Sequence, residues 1–212
     1  PLPMQQLCLE LYIMNFDWHQ VVQRLPKLDK FIAKHNDDAT LALWTQHLTS
    51  VLAEGFDRYV ASQSINQLHQ LWLSWTKSIC QHPAVLDAYL AVLARHQQHK
   101  LIEDVLLDSW SPKKDVWLLQ LIRLIYSHSK QVPMARLFAK VQQQASKHPD
   151  NKTFITILAY LAAGDKDHQL ARQALEQVIF SEPNSTDRRL YAVTLAELGE
   201  TRHSLEIFKS LI

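Results

Sequence analysis

Residues 158–178, LAYLAAGDKDHQLARQALEQV, decide the fold. Apolar residues recur at helical spacing on both sides of a Gly-Asp pair. Leu158, Ala159 and Ala162 are expected to face Ala171, Leu175 and Val178, the small and large positions by which two hairpin helices interlock. The order returns downstream, with Tyr191, Ala192, Leu195 and Gly199 followed by Ser204, Leu205, Phe208 and Leu211. Gly164-Asp165 and Gly199-Glu200 are the predicted turns, where glycine ends the first helix of each pair.

A beat of prolines extends this pattern upstream. Pro83, Pro112, Pro149 and Pro183 fall 29, 37 and 34 residues apart, each between two apolar helical stretches. A period near 34 residues with helix–turn–helix content marks a tetratricopeptide-type array. The pairs 83–96 with 99–110 and 114–128 with 132–148 precede the two clearest units. The predicted fold is all-α, a right-handed α-solenoid of about six helical hairpins. Residues 1–80 form a region of degenerate hairpins and 81–212 the tetratricopeptide-like repeats, packed as one continuous solenoid.

Nearer the start, Leu7, Leu11 and Met14 sit at helical spacing. Asp17 is placed to cap a helix whose face is Trp18, Val21, Val22, Leu25, Leu28 and Phe31. Pro26 should kink or split it, because proline removes a donor and clashes with the preceding turn. Asp37 or Asp38 caps a third helix that runs past Gly55 towards residue 61. Ser64 and Gln67 fit a capping box, Gln67 reaching back, ahead of a helix carrying Leu68, Trp72, Trp75 and Ile79.

Composition agrees. Apolar residues make up 47% of 212, enough for a packed core, and three glycines are too few for a sandwich of tight turns. The formal charge is +1 with acids and bases interspersed, so no basic stripe marks a nucleic-acid surface. Cys8 and Cys80 lie far apart in apolar stretches and read as buried thiols, not as a disulfide framework. The longest apolar run, 116–126, is broken by Gln120 and Arg123 and falls short of a membrane span. The chain opens on Pro1-Leu2-Pro3 and ends on Ile212 inside a helical pattern, as expected of a piece of a longer protein.

Several stretches, in order along the chain, carry a resemblance. They are Asp17-Trp18, then 25–28 (LPKL), 68–75 (LHQLWLSW), 82–89 (HPAVLDAY), 103–107 (EDVLL), 147–151 (KHPDN) and 195–199 (LAELG). In this order they resemble the HemY-type proteins of proteobacteria over most of residues 11–212. Where that family has a Gly-Asp turn, this chain has Gln97-Gln98-His99. The resemblance implies a soluble repeat domain behind an N-terminal inner-membrane anchor. It also implies association with late haem biosynthesis, as a scaffold or regulator and not as a catalyst. The flavin-dependent oxidase that shares the name is a different matter, since no GxGxxG follows a strand here.

Candidate site residues fall into two sets. His82, His96 and His99, near Cys80, are candidates for a haem or porphyrin ligand, since imidazole and thiolate both ligate haem iron. No spacing suits a zinc site and no Gly-x-Ser-x-Gly elbow suits a hydrolase, so neither a metal nor a catalytic set is assigned. The six tryptophans read as core first. In a tetratricopeptide array the first helix of each hairpin lines a concave face. The outward positions there are expected to be Arg123, Tyr126, Thr153, Thr156, Tyr160, Arg189 and Val193. Hydroxyls, aromatics and arginines suit a peptide or an acidic tail.

The expected function is thus a non-enzymatic scaffold for other proteins, haem-pathway enzymes among them. Two alternatives stay open, a direct haem or porphyrin binder and a generic adaptor in envelope assembly. Leu205, Phe208 and Leu211 form an apolar stripe that further repeats or self-association would cover, because array ends need polar caps.

Overall fold

The computed structural model describes residues 2–35, 38–180 and 184–211. Among these, all regular structure is helical. Two compact units are distinguished, Pro1–Val92 and Leu93–Ile212. The sequence division at 80/81 lies upstream of this boundary, and most of the Pro83–Arg95 helix groups with the first unit, where Tyr89 joins its aromatic rings. Tyr89 stacks on Trp72 with centroids 4.0 Å apart and bonds His69 at 2.7 Å.

The first unit holds α1 (Leu2–Met14), α2 (Trp18–His35), α3 (Asp38–Ser62), α4 (Ile65–Ser74), α5 (Lys77–Cys80) and most of α6 (Pro83–Arg95). α1 packs on α2 and α3, and α3 on α4. Asp17 caps α2 as its sequence suggests, accepting from Gln20 N at 3.3 Å. Helix α2 is continuous through Pro26, which does not split it. Val21, Leu25, Leu28 and Ile32 are all buried on one face. Each contributes about 1.5–3 kcal/mol of transfer free energy, which outweighs the roughly 3 kcal/mol penalty of an interior proline. Of the caps proposed for α3, Asp38 is its first residue and Asp37 lies outside the described residues.

The capping box at Ser64 forms in part. Gln67 N donates to Ser64 Oγ at 3.1 Å, but the Gln67 side chain accepts from that hydroxyl instead of reaching the Ser64 N–H. The helix expected through Ile79 breaks at Trp75, whose backbone is extended. That break carries the indole to Trp18, Phe56 and Trp72, with centroids 6.0–6.4 Å apart. Tertiary packing here overrides helix continuity.

The second unit continues with α7 (His99–Ser109), a 3₁₀ turn (Pro112–Lys114), α8 (Asp115–His128), α9 (Ala135–Lys147) and α10 (Lys152–Gly164). It ends with α11 (His168–Val178), α12 (Ser185–Glu197) and α13 (Thr201–Lys209). α10 packs on α8, α9 and α11, α11 on α12, α12 on α13, and α7 on α9. Pro112 opens the 3₁₀ turn, Pro149 precedes α10, and Pro183 lies outside the described residues. Helices α10 and α12, like α11 and α13, start 33 residues apart. Ile155, Ala159, Ala174, Leu175, Val178, Tyr191 and Leu195 share one core cluster. Leu158, expected there, is only half-buried, and Ile155 takes its place. In α13, Ser204 is buried, its hydroxyl donating to Ala192 O at 2.7 Å, while Leu205 is exposed. Phe208 and Leu211 are half-buried.

One turn recurs across the chain. Phe16, Gln97, Lys166 and Gly199 have φ of 61°, 55°, 64° and 85°, and each stands two residues before a helix. The following N–H bonds the carbonyl five residues back, always at 2.9 Å: Asp17 to Tyr12, Gln98 to Leu93, Asp167 to Ala162 and Glu200 to Leu195. This is the Schellman closure, which satisfies two orphan carbonyls of the outgoing helix. Gly199 takes the left-handed position as expected. In the preceding hairpin that position belongs to Lys166, not Gly164. Gly164 is needed for another reason. A Cβ there would overlap Tyr126 Oη and lie 2.7 Å from the Val132 carbonyl oxygen.

Candidate functional site

The proposed groove residues of the second unit are largely engaged in the unit's own packing. The Arg123 guanidinium, on α8, donates from Nε and Nη2 to the two carboxylate oxygens of Asp187 at 2.9 and 2.5 Å. Asp187 is 4% exposed, in the first turn of α12. Asn184 caps that helix, accepting from the Thr186 and Asp187 N–H groups. The Tyr160 hydroxyl donates to Asp187 Oδ1 at 2.7 Å. A buried carboxylate needs such partners, since an unpaired one carries the full desolvation penalty. Burial first, and the neighbouring Asp187 charge second, push the Tyr160 phenol well above its ordinary range. Desolvation lowers the Arg123 pKa, but the Asp187 hydrogen bond and charge outweigh it, so the net direction is up.

This corrects the expected outward set. Tyr160 is 1% and Thr156 4% exposed. The Thr156 hydroxyl turns back to donate to Lys152 O at 2.8 Å. Tyr126 packs edge-on against Tyr160, with centroids 5.2 Å apart, and donates to Val132 O at 3.2 Å. The reason is that α10 is covered on several sides, so ten of its residues are buried and it has no single solvent face. Arg189 remains exposed, with Thr153 and Val193 half-buried. Sequence reasoning missed Asp187. Its one local signal was a carboxylate in the first turn after an Asn cap, where the helix dipole favours negative charge.

A second carboxylate ties neighbouring helices of this unit. Glu103, 7% exposed on α7, accepts from Arg136 N at 2.6 Å and Leu137 N at 3.0 Å, and from Arg136 Nε at 2.8 Å. It thereby caps the start of α9, where Met134 supplies no side-chain cap.

The histidines differ from one another. In the first unit His82 Nε2 lies 2.6 Å from Asp29 Oδ2, and its Nδ1 is buried without a hydrogen bond. The ring is held by the fold, with no nitrogen presented outward. Asp87, on the next helical turn, is raised to about 6 by burial, which the nearby His82 charge partly offsets. In the second unit His96 is exposed. His99 is half-buried, its Nε2 is sequestered without a hydrogen bond, and desolvation lowers its pKa. Among the described residues no group of three or more His, Cys, Asp or Glu is placed to hold a metal ion. Cys80 donates to Trp72 O at 3.4 Å, and burial raises its thiol to about 11, which leaves it un-ionised and unreactive near neutrality.

An open cavity of about 620 Å³ lies where three connections of the second unit meet. Gln97 and His99 line it from the turn before α7, Lys130 and Gln131 from the α8–α9 loop, and Asp165 and Lys166 from the turn after α10. Its size falls within the range of ligand pockets.

Among the described residues the chain is all-α, and one backbone turn closes four of its helix-to-helix connections. No protein-family model, curated protein or solved structure matches the chain.

Proposed function

We propose that this chain is a non-catalytic scaffold that docks other proteins, its second unit stacking tetratricopeptide-like hairpins in an α-solenoid. The observation that carries this reading is the 33-residue register of the last two hairpins together with their common turn, at Lys166 and Gly199. A hairpin repeated at fixed register cannot bury its own apolar face, so the units stack and present an extended surface.

The sequence resemblance to HemY-type proteins suggests the setting, an inner-membrane-anchored scaffold serving late haem biosynthesis. Gln97-Gln98 departs from the Gly-Asp turn of that family, although Gln97 takes the left-handed φ that a glycine would take there. No helix of the described residues is long and apolar enough to cross a membrane, so an anchor would have to lie elsewhere. The test is direct binding between this domain and purified terminal haem-pathway enzymes, with a Soret titration by haem and protoporphyrin IX alongside. Saturable, stoichiometric protein binding supports the scaffold. Stoichiometric porphyrin binding without protein binding replaces it with a porphyrin carrier.

A further inference from the structure

We infer that the cavity at the hairpin turns is a docking site for an acidic peptide segment, with Lys130 and Lys166 receiving its carboxylate. This deepens the scaffold reading and rests on it.

Comparison of the four left-handed turn positions carries the inference. An L-residue held there costs about 1–2 kcal/mol that glycine avoids. At Gly199 no side chain is kept, and a Cβ would meet nothing within 4 Å. At Phe16 the side chain is put to use, stacking near Trp18 and meeting Tyr59 edge-on at 5.3 Å. Gln97 and Lys166 keep long polar side chains in the same strained backbone, and both are exposed. Both also line the cavity. Strain retained where the fold gains no packing points to use of the side chain itself.

The lining chemistry selects the ligand. Among the described residues neither Lys130 nor Lys166 joins an ion pair. His99 is driven towards its neutral form by desolvation. Two lysines against Asp165 leave one net positive charge, which matches a monoanionic carboxylate better than a phosphate dianion. Gln97 and Gln131 offer amide donors and acceptors suited to a peptide backbone, and the cavity opens to solvent where three connections meet. A cavity open to solvent admits a segment of chain that continues beyond it.

The test uses a fluorescein-labelled hexaglutamate peptide read by anisotropy, with sodium acetate as the free-carboxylate probe. Saturable binding is expected, weakening about tenfold in Lys166→Gly and again in Lys130→Ala, as charge-assisted contacts are lost. Lys113→Ala, away from the cavity, is the control and leaves affinity unchanged. Lys166→Gly removes the charge while relieving the backbone, and an undiminished urea midpoint separates loss of the contact from loss of the fold. The inference is overturned if Lys166→Gly and Lys130→Ala bind as the parent does, or if the peptide binds no tighter than acetate. A partner enzyme that still docks to a Lys130→Ala/Lys166→Gly double variant overturns this site and leaves the scaffold standing. Peptide binding without any partner docking does the reverse.

Discussion

The two units solve the same packing problem with different materials. The first fills its core with large rings. Phe16, Trp18, Phe56, Tyr59, Trp72, Trp75 and Tyr89 form one connected aromatic cluster. The second brings helices close through Ala159, Ala162, Ala163, Ala171 and Ala174, and ties them with buried carboxylates at Asp187 and Glu103. Rings contribute area and tolerate irregular helix ends, as the break at Trp75 shows. Small residues demand a repeated register, and the polar ties fix it. Regularity in the second unit is therefore a requirement of its side chains.

The largest effects should separate these two strategies. Asp187→Ala strands the Arg123 and Tyr160 groups, and breaking a buried pair costs about 3–5 kcal/mol. Phe56→Ala, at a site with 0% exposure, should cost about as much through cavity formation. The two differ on repair. Asp187→Asn keeps part of the hydrogen bonding and should recover some stability, whereas Phe56→Leu recovers only area. Urea midpoints for the four variants check this, and equal losses in Asp187→Ala and Asp187→Asn would refute the hydrogen-bonded tie.

Next comes Gly164→Ala, at about 1–3 kcal/mol of overpacking. Its new methyl meets the Tyr126 hydroxyl, so Tyr126→Phe in the same chain should return part of the loss. Additive losses in the double variant would show that the Val132 carbonyl, not the hydroxyl, sets the limit.

Asp87 in the first unit gives a pH-dependent effect. Its folded pKa of about 6 lies above the ordinary carboxylate value, so the folded state binds the extra proton between roughly pH 4 and 6. Stability from this group is highest below that window and is lost as pH rises through it. Asp87→Asn should raise the melting temperature at pH 7.5, with the gain vanishing near pH 4. A gain that persists at pH 4 would exclude titration as its source.

The smallest effect is Lys166→Gly. Relief of the left-handed residue should stabilise the fold by up to about 1 kcal/mol, offset by glycine's larger unfolded-state entropy. Loss of stability would mean that the lysine side chain packs usefully.

Local signals were the legible part. The Asp17 cap, the Ser64 cap, the turn at Gly199 and the hairpin boundaries all follow from residue type and spacing. Tertiary choices were not legible. Pro26 sits inside a helix because four buried neighbours hold it there. Lys166 and Gln97 adopt a conformation that composition assigns to glycine. The Gly164-Asp165 pair marks the turn before α11, but the left-handed position falls to Lys166, because Gly164 answers to Tyr126 and not to its own backbone. Thr156 and Tyr160 were misplaced because a helix covered on several sides has no amphipathic phase to read. The partner of Arg123 stands 64 residues away, a separation no local pattern encodes.

The cap that Glu103 lends to α9 has a consequence in time. Helix nucleation is the unfavourable step, and a start without a local cap is a poor nucleus. Because the carboxylate that accepts from the Arg136 and Leu137 N–H groups comes from α7, the start of α9 gains this cap only when α7 has packed against it. The α9 N-terminus is thus secondary structure settled by a tertiary contact, and fraying there reports whether α7 is docked.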